Sequence, residues 1–382
     1  MIYLDNAATS WPKPERVYTK ADEAMRRSGN PGRSGHVFSL YSSKAIEETR
    51  MRAAALFGVH APGWIVFSLN TTDALNTAIK GVVGPGDHVV TSSLEHNSVI
   101  RPLDALADMG VTYTIVRADP VGGVDPRDVK KALRPNTRLA VFTHVSNVTG
   151  TIVPVREIGA VCREAGIVFL IDVAQSAGVI PLDVGALDAD MIAFPGHKGL
   201  LGPQGTGGLY IKEGTPITPS RQGGTGNVSE SIVHPQNMPY AFESGTPNTP
   251  GIAALGEGIA YVMERGAATI GKAETALANR LIGGLEGVKG VKVFGPPAGP
   301  ERSGTVSFRL RGMDPAETGA VLSSAFGIAV RPGLHCSRLA HETIGTLDTG
   351  GTVRVSVGAF NTEADVDACV AALEEIAAGA RS

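Results

Sequence analysis

Five apolar runs, each closed by polar or glycine residues and most leading into a helix-like stretch, restrict this chain more than any other feature. They are "WIVFSLNTT", "HVVTSSLEH", "LAVFTHVSN", "VFLIDVAQ" and "MIAFPGHK". Continuous apolar strands belong to sheets covered by helices on both faces, which are largely parallel. In such sheets ligands bind beyond the carboxyl ends of the strands, where these polar clusters lie. The pattern predicts an α/β fold with its ligand at the carboxyl edge.

The last run leads into Gly196-His197-Lys198-Gly199 and the loop "LLGPQGTGG". A lysine at the end of a buried strand loses hydration, which lowers its pKa and favours the neutral amine that attacks an aldehyde. A solvated loop lysine accounts for Lys198 alone, and a helix N-cap accounts for Asp172 alone. The two together fit pyridoxal phosphate. The lysine takes the aldehyde, and the carboxylate keeps the pyridine nitrogen protonated so that the ring draws electrons. "NTTDALN" adds a strand-to-helix turn at Thr71 and Thr72, where unpaired N–H groups suit a phosphate or an ordinary threonine cap. His96, opening another helix, suits stacking on a flat ring or simple capping.

With 382 residues, 43% of them hydrophobic, the chain can bury a sizeable core and is expected to form two domains. A net charge of −3 leaves no basic footprint for nucleic acid or an anionic membrane. No run reaches transmembrane length without charge or glycine, and the first residues lack a signal-peptide pattern, so a cytoplasmic location is expected. Three widely spaced cysteines indicate neither a disulfide framework nor a metal site. Cys162 and Cys369 fall between apolar residues on helices, as inert buried thiols do, whereas Cys336 lies in a polar, glycine-rich stretch.

"SGNPGRSGH" is a glycine-rich loop with Asn30, Arg33 and His36, followed by a helix to about Phe57 that Ser42 or Ser43 caps. Residues 221–250 are rich in Gly, Pro, Ser and Asn, and so long a loop is expected to be functional or to lie against a partner. A helical segment from Ile252 to Leu285, broken near Gly266, precedes strands "VKVFG" and "GTVSFRLRG". A helix from Pro315 to Ala325, the strand "GTVRVSVG" and a helix from Glu363 to Ala378 complete a smaller α+β unit.

Nine motifs, in order, resemble those of one family: "YLDNAA", "NTTDALN", "LEHNS", "SNVTG", "DVAQSAG", "GHKGLLGPQGTGG", "FESGTPNT", "RPGLHCSRLAH" and "TVRVSVGAFNT". They are similar to the class V aminotransferases among the fold-type I pyridoxal phosphate enzymes, and more narrowly to the cysteine desulfurase and selenocysteine lyase branch. The resemblance runs nearly end to end. It implies a mostly parallel seven-stranded sheet flanked by helices in a large domain of residues 16–255. A small domain of residues 256–382 would carry Cys336 and Arg354, and residues 1–15 would join it.

For the site, the resemblance implies a Schiff-base role for Lys198, Asp172 on the pyridine nitrogen, Gln175 on the phenolic oxygen and His96 stacked on the ring. Thr72 and His197 would contact the phosphate, joined by Thr246 from the second subunit of a homodimer. Asn147 and Arg354 would hold the substrate carboxylate. Cys336 would take sulfur from L-cysteine, leaving L-alanine and a persulfide, with a sulfur-acceptor protein as a further partner. Selenocysteine lysis, β-elimination and transamination remain open on the same cofactor. The family has Ser or Thr where this chain has Pro195, which removes one phosphate donor. His335 and Arg338 flank Cys336 in sequence and are the candidates for stabilising its thiolate.

Overall fold

The computed structural model describes residues 1–32, 34–227 and 230–379; Arg33 and residues 228–229 of the long loop lie outside them. The apolar runs form a seven-stranded sheet in the order Ile65–Ser68, Gly207–Ile211, Met191–Pro195, Val168–Asp172, Thr137–Thr143, His88–Ser92, Thr112–Val116. Neighbours are parallel except at Gly207–Ile211, which is antiparallel to both strands beside it. Val168–Asp172 and Met191–Pro195 are buried along their whole length, as the continuous apolar runs require. Alternate residues feed opposite faces. Ala140 and Phe142 join one core with Phe57, Phe169 and Phe194, while Leu139 and Val141 join another with Leu75 and Leu103.

Helices begin at side-chain caps that satisfy otherwise unpaired N–H groups. Asn70 accepts from the Asp73 N–H, His96 from Ser98, Asn248 from Gly251 and Asp314 from Ala316. The helix Val37–Phe57 differs from the sequence expectation. Its cap is His36, whose Nδ1 accepts from the Ser39 N–H at 3.2 Å. Ser42 is instead buried within the helix, donating to the Gly29 carbonyl at 2.7 Å and drawing the glycine-rich loop onto the helix. The long helical segment is two helices, Thr249–Arg265 and Ala267–Gly287, divided at Gly266 with φ 79°.

A second core lies under a four-stranded antiparallel sheet in the order Arg331–Gly333, Thr352–Ser356, Thr305–Leu310, Val291–Phe294. Leu281, Phe308, Val355 and Leu373 fill it. Ile2–Tyr3 pairs in parallel with Ile328–Ala329, so the chain starts on this unit before crossing to the larger one. Cys162 and Cys369 are buried in the two cores, and burial pushes both thiols up to about 12, which keeps them protonated and inert. Among the described residues no helix is long and apolar enough to cross a membrane.

At the carboxyl edge, Gly207 lets its strand pass against the turn at Asn70. An added Cβ there would stand 2.8 Å from both the Asn70 Cα and the Phe194 carbonyl oxygen. Gly207→Ala should therefore destabilise the protein by about 1–3 kcal/mol, the usual cost of overpacking. Urea unfolding measures it, and an unchanged midpoint would show that the turn yields freely.

Candidate active site

Parallel strands all end at one edge, so the turns that follow them converge. Those turns, with residues of the second unit, enclose a cavity of about 300 Å³. Its walls include Thr71 and Thr72, His96, Asn147, Asp172 with Gln175, and His197 with Lys198. Arg331, His335 and Arg354 close it from the smaller unit.

The backbone just before Lys198 is held by the N-terminal segment. The His197 carbonyl accepts from the Ser10 N–H at 2.9 Å, Thr9 Oγ1 at 3.1 Å and Lys13 Nζ at 3.4 Å. Removal from water lowers the Lys198 amine to about 8; the Asp172 charge opposes this shift and the Arg354 charge adds to it. Asp172 is buried, with Oδ1 accepting from the Ala174 N–H at 2.8 Å. Burial pushes its carboxyl up, and the Ala174 N–H and Lys198 pull it back. Gln175 Nε2 donates to the Ala7 carbonyl at 3.0 Å, and among the described residues the amide oxygen is left for a ligand.

On the opposite wall Ser98 joins two candidate residues, with its hydroxyl 2.7 Å from Thr72 Oγ1 and 2.8 Å from His96 Nδ1. The Ser98 N–H also donates to Nδ1 at 3.1 Å, so the neutral ring carries its proton on Nε2. Burial, reinforced by the Lys198 and Arg331 charges, drives His96 down to about 4 and keeps the ring neutral near pH 7. Thr71 Oγ1 and His197 Nδ1 are buried with no partner among the described residues. Beside the first N–H groups of the helix Thr71–Val82, they make a set of donors suited to an anion. Pro195 ends its strand opposite Gly207 and adds no donor.

Cys336 sits on a strained turn. His335 and Cys336 have φ of 49° and 60°, left-handed values that cost non-glycine residues about 1–2 kcal/mol each. The larger unit grips this turn: Asn147 Nδ2 donates to the His335 carbonyl at 2.7 Å, and the Asn97 N–H to the Cys336 carbonyl at 2.7 Å. Ser337 Oγ closes the set by donating to Asn147 Oδ1 at 2.8 Å. The cysteine itself is exposed.

Its charged neighbour is Arg331, whose Nη2 lies 3.5 Å from Sγ. Arg338, the sequence candidate, is an exposed residue opening the short helix Arg338–Thr343. His335 is no cation either. Its buried ring contacts Thr352 Oγ1 at 3.0 Å, and burial pushes its pKa far down. The Asn147 amide holds the turn, while the Asn147 carbonyl accepts from Arg354 Nη1 at 3.1 Å. Arg354 is 1% exposed, its Nη2 meets Asp5 Oδ1 at 2.9 Å, and its Nε has no partner among the described residues. Thr246 is not in this cavity; it lines a groove with Arg50, Tyr240 and Glu243.

The aminotransferase class-V sequence profile matches residues 2–369. The chain belongs to the aminotransferase class-V family. This class-V protein is 36% identical to a probable cysteine desulfurase of Methanothermobacter thermautotrophicus, covering 98% of this chain and 94% of that one. It is 32% identical to a cysteine desulfurase of Yersinia pseudotuberculosis, covering 98% and 93% respectively. The apo structure of a cysteine desulfurase from Thermococcus onnurineus superposes with a TM-score of 0.93 at 34% identity, covering 99% of this chain and 95% of that one.

Ser98 and three charged residues of this class-V site escaped the sequence. Arg331 opens "RPGLHC" and Asp5 lies inside "YLDNAA", but neither motif says what its charge touches. Glu95 is the third. It is fully buried, accepts from Ser92 Oγ at 2.5 Å and from the Thr143 N–H at 2.9 Å, and so ties the His96 turn to the next strand.

The environment of Lys198 has a direct consequence. In cofactor-free protein, reductive alkylation of Lys198 by an aldehyde should follow a pH midpoint near 8, because only the neutral amine reacts. Peptide mapping across pH reads it. A midpoint near the ordinary 10.5 would show that Lys198 stays hydrated.

Proposed function

We propose that this class-V protein is a cysteine desulfurase, taking sulfur from L-cysteine to leave L-alanine and a persulfide on Cys336. The observation that carries this is Cys336 itself, an exposed thiol on a gripped, strained turn with the Arg331 guanidinium 3.5 Å from Sγ. A structural cysteine has no need of either feature. The full-length likeness to cysteine desulfurases supports the same reading.

The residues present fit pyridoxal phosphate. Unpartnered Thr71 Oγ1 and His197 Nδ1, with Thr72 and the helix N–H groups, would hold the phosphate. Asp172 would bind the protonated ring nitrogen, Gln175 the phenolic oxygen, and neutral His96 would stack on the ring. Bound there, the cofactor supplies an aldehyde for the amine and an electron sink for charge at the substrate α-carbon.

Lys198, depressed to about 8, offers a usable fraction of neutral amine near pH 7 and, once released by substrate, a base for the α-proton. Arg354 keeps three N–H donors beyond those given to Asn147 and Asp5, enough for a carboxylate fork. The Arg331 guanidinium lies 3.5 Å from Cys336 Sγ, the atom that must act as the nucleophile. Sγ of Cys336 bonds the substrate sulfur as the Cβ–S bond breaks. The electron pair stays with the carbon fragment, which takes a proton at Cβ, recovers its α-proton from Lys198 and leaves as L-alanine. Exposure of Cys336 then suits handing the sulfur to the thiol of an acceptor protein. A working free thiol implies a reducing compartment, and we place the protein in the cytoplasm.

The active form is a homodimer in this account. Thr246 would reach the phosphate of the other copy. Ile232 and Val233, 104% and 68% exposed in the same long loop, would be covered by it. Sedimentation should give a dimer, and a fully active monomer would remove this part.

Two variants test the chemistry. Cys336→Ala should retain the yellow colour of bound cofactor yet lose alanine formation from L-cysteine by orders of magnitude. Lys198→Ala should lose both the normal visible band and all turnover. Near-normal alanine release by Cys336→Ala would overturn the role of the thiol.

A further inference from the structure

The two arginines of the small-sheet wall stand directly opposite each other. Arg331 and Arg354 are register partners across adjacent antiparallel strands, an arrangement in which like charges repel. Arg354 is 1% exposed, so its charge is also costly to hold out of water. Burial and the Arg331 charge both act to lower its pKa, and the Asp5 charge opposes them. The Asp5 carboxylate, 2.9 Å from Arg354 Nη2, is the ion-pair partner of this guanidinium among the described residues.

Asp5 is set firmly in place. It bridges in parallel to Ser356, two residues beyond Arg354 on the same strand. Its carbonyl accepts from Tyr3 Oη at 3.3 Å and from the Ala8 N–H at 3.1 Å. Ala7 and Ala8 line the cavity and Asp5 does not, so its carboxylate reaches the guanidinium from outside the cavity wall. A ligand carboxylate inside the cavity would meet the same guanidinium from the other side.

We propose that Asp5 is a positioning residue that fixes Arg354 and deliberately weakens its hold on the α-carboxylate of substrate and product. This rests on the reading of Arg354 as the carboxylate site. L-Cysteine and L-alanine carry the same carboxylate, so an undamped guanidinium would retain the product as tightly as it gathers the substrate. With Asp5 in place the guanidinium is already half-answered before either binds. Recognition then depends on the geometry of the fork and less on raw charge.

The test is Asp5→Asn, which keeps an oxygen acceptor toward Nη2 and removes the charge. The KM for L-cysteine and the inhibition constant of L-alanine should fall together, by about fourfold or more. That is the size expected for two unit charges sharing one guanidinium even under the screening of water. Asp5→Ser, which also offers an oxygen without charge, is measured alongside in case one variant misfolds. A purely structural Asp5 predicts the opposite, with both constants rising as Arg354 loses its alignment. Constants unchanged or raised in a folded variant overturn the inference. Arg354→Lys separates the two levels. If it raises the KM for L-cysteine while the Asp5 variants do nothing, the inference alone falls. If it leaves the KM unmoved, the carboxylate reading falls and takes the inference with it.

Discussion

The grip of Asn147 and Asn97 on the turn at His335 and Cys336 is the contact on which the site depends. Both residues of the turn hold left-handed backbone angles, and each of their carbonyls receives a hydrogen bond at 2.7 Å from the other unit. Buried amide contacts of this kind contribute about 1 kcal/mol each, comparable to the strain they offset. Because Asn147 follows a sheet strand and Asn97 opens a helix, the larger sheet fixes where the thiol stands. The N-terminal segment ties the units a second time, from Ile2–Tyr3, paired with Ile328–Ala329 of the smaller unit, to the His197 carbonyl beside Lys198.

Charge inside the cavity follows from burial. Lys198, Arg331 and Arg354 bring three positive groups to its walls, against Asp172 and, from behind, Asp5. That surplus suits an anionic phosphate and an anionic carboxylate arriving at opposite ends. It also adds to the burial that drives His96, His197 and His335 down and keeps them neutral. In each case desolvation comes first and nearby cations add to it.

The strands and the Lys198–Asp172 pair were readable because a buried parallel strand is an unbroken apolar run and its ligand residues come straight after it. The helix start at Val37 was missed because His36 is an uncommon cap, while Ser42 has the chemistry of one but is buried for another purpose. Arg331 escaped for a different reason. Nearness along the chain favoured Arg338, but strand register pairs Arg331 with Arg354 and turns it toward the thiol. Asp5 and Arg354 are 349 positions apart, so their contact exists only once the small sheet has formed. Glu95 likewise needs the Thr143 N–H from another strand before its burial makes sense.

The central claim is that Cys336 receives the sulfur. Its most direct measurement is the mass of the Cys336 peptide after holoprotein meets one equivalent of L-cysteine without reductant. The account predicts a gain of one sulfur atom on that peptide, matched by L-alanine formed and reversed by a thiol reductant. An unmodified Cys336 peptide, with free sulfide, pyruvate and ammonia accumulating in place of L-alanine as direct elimination would give, would contradict it.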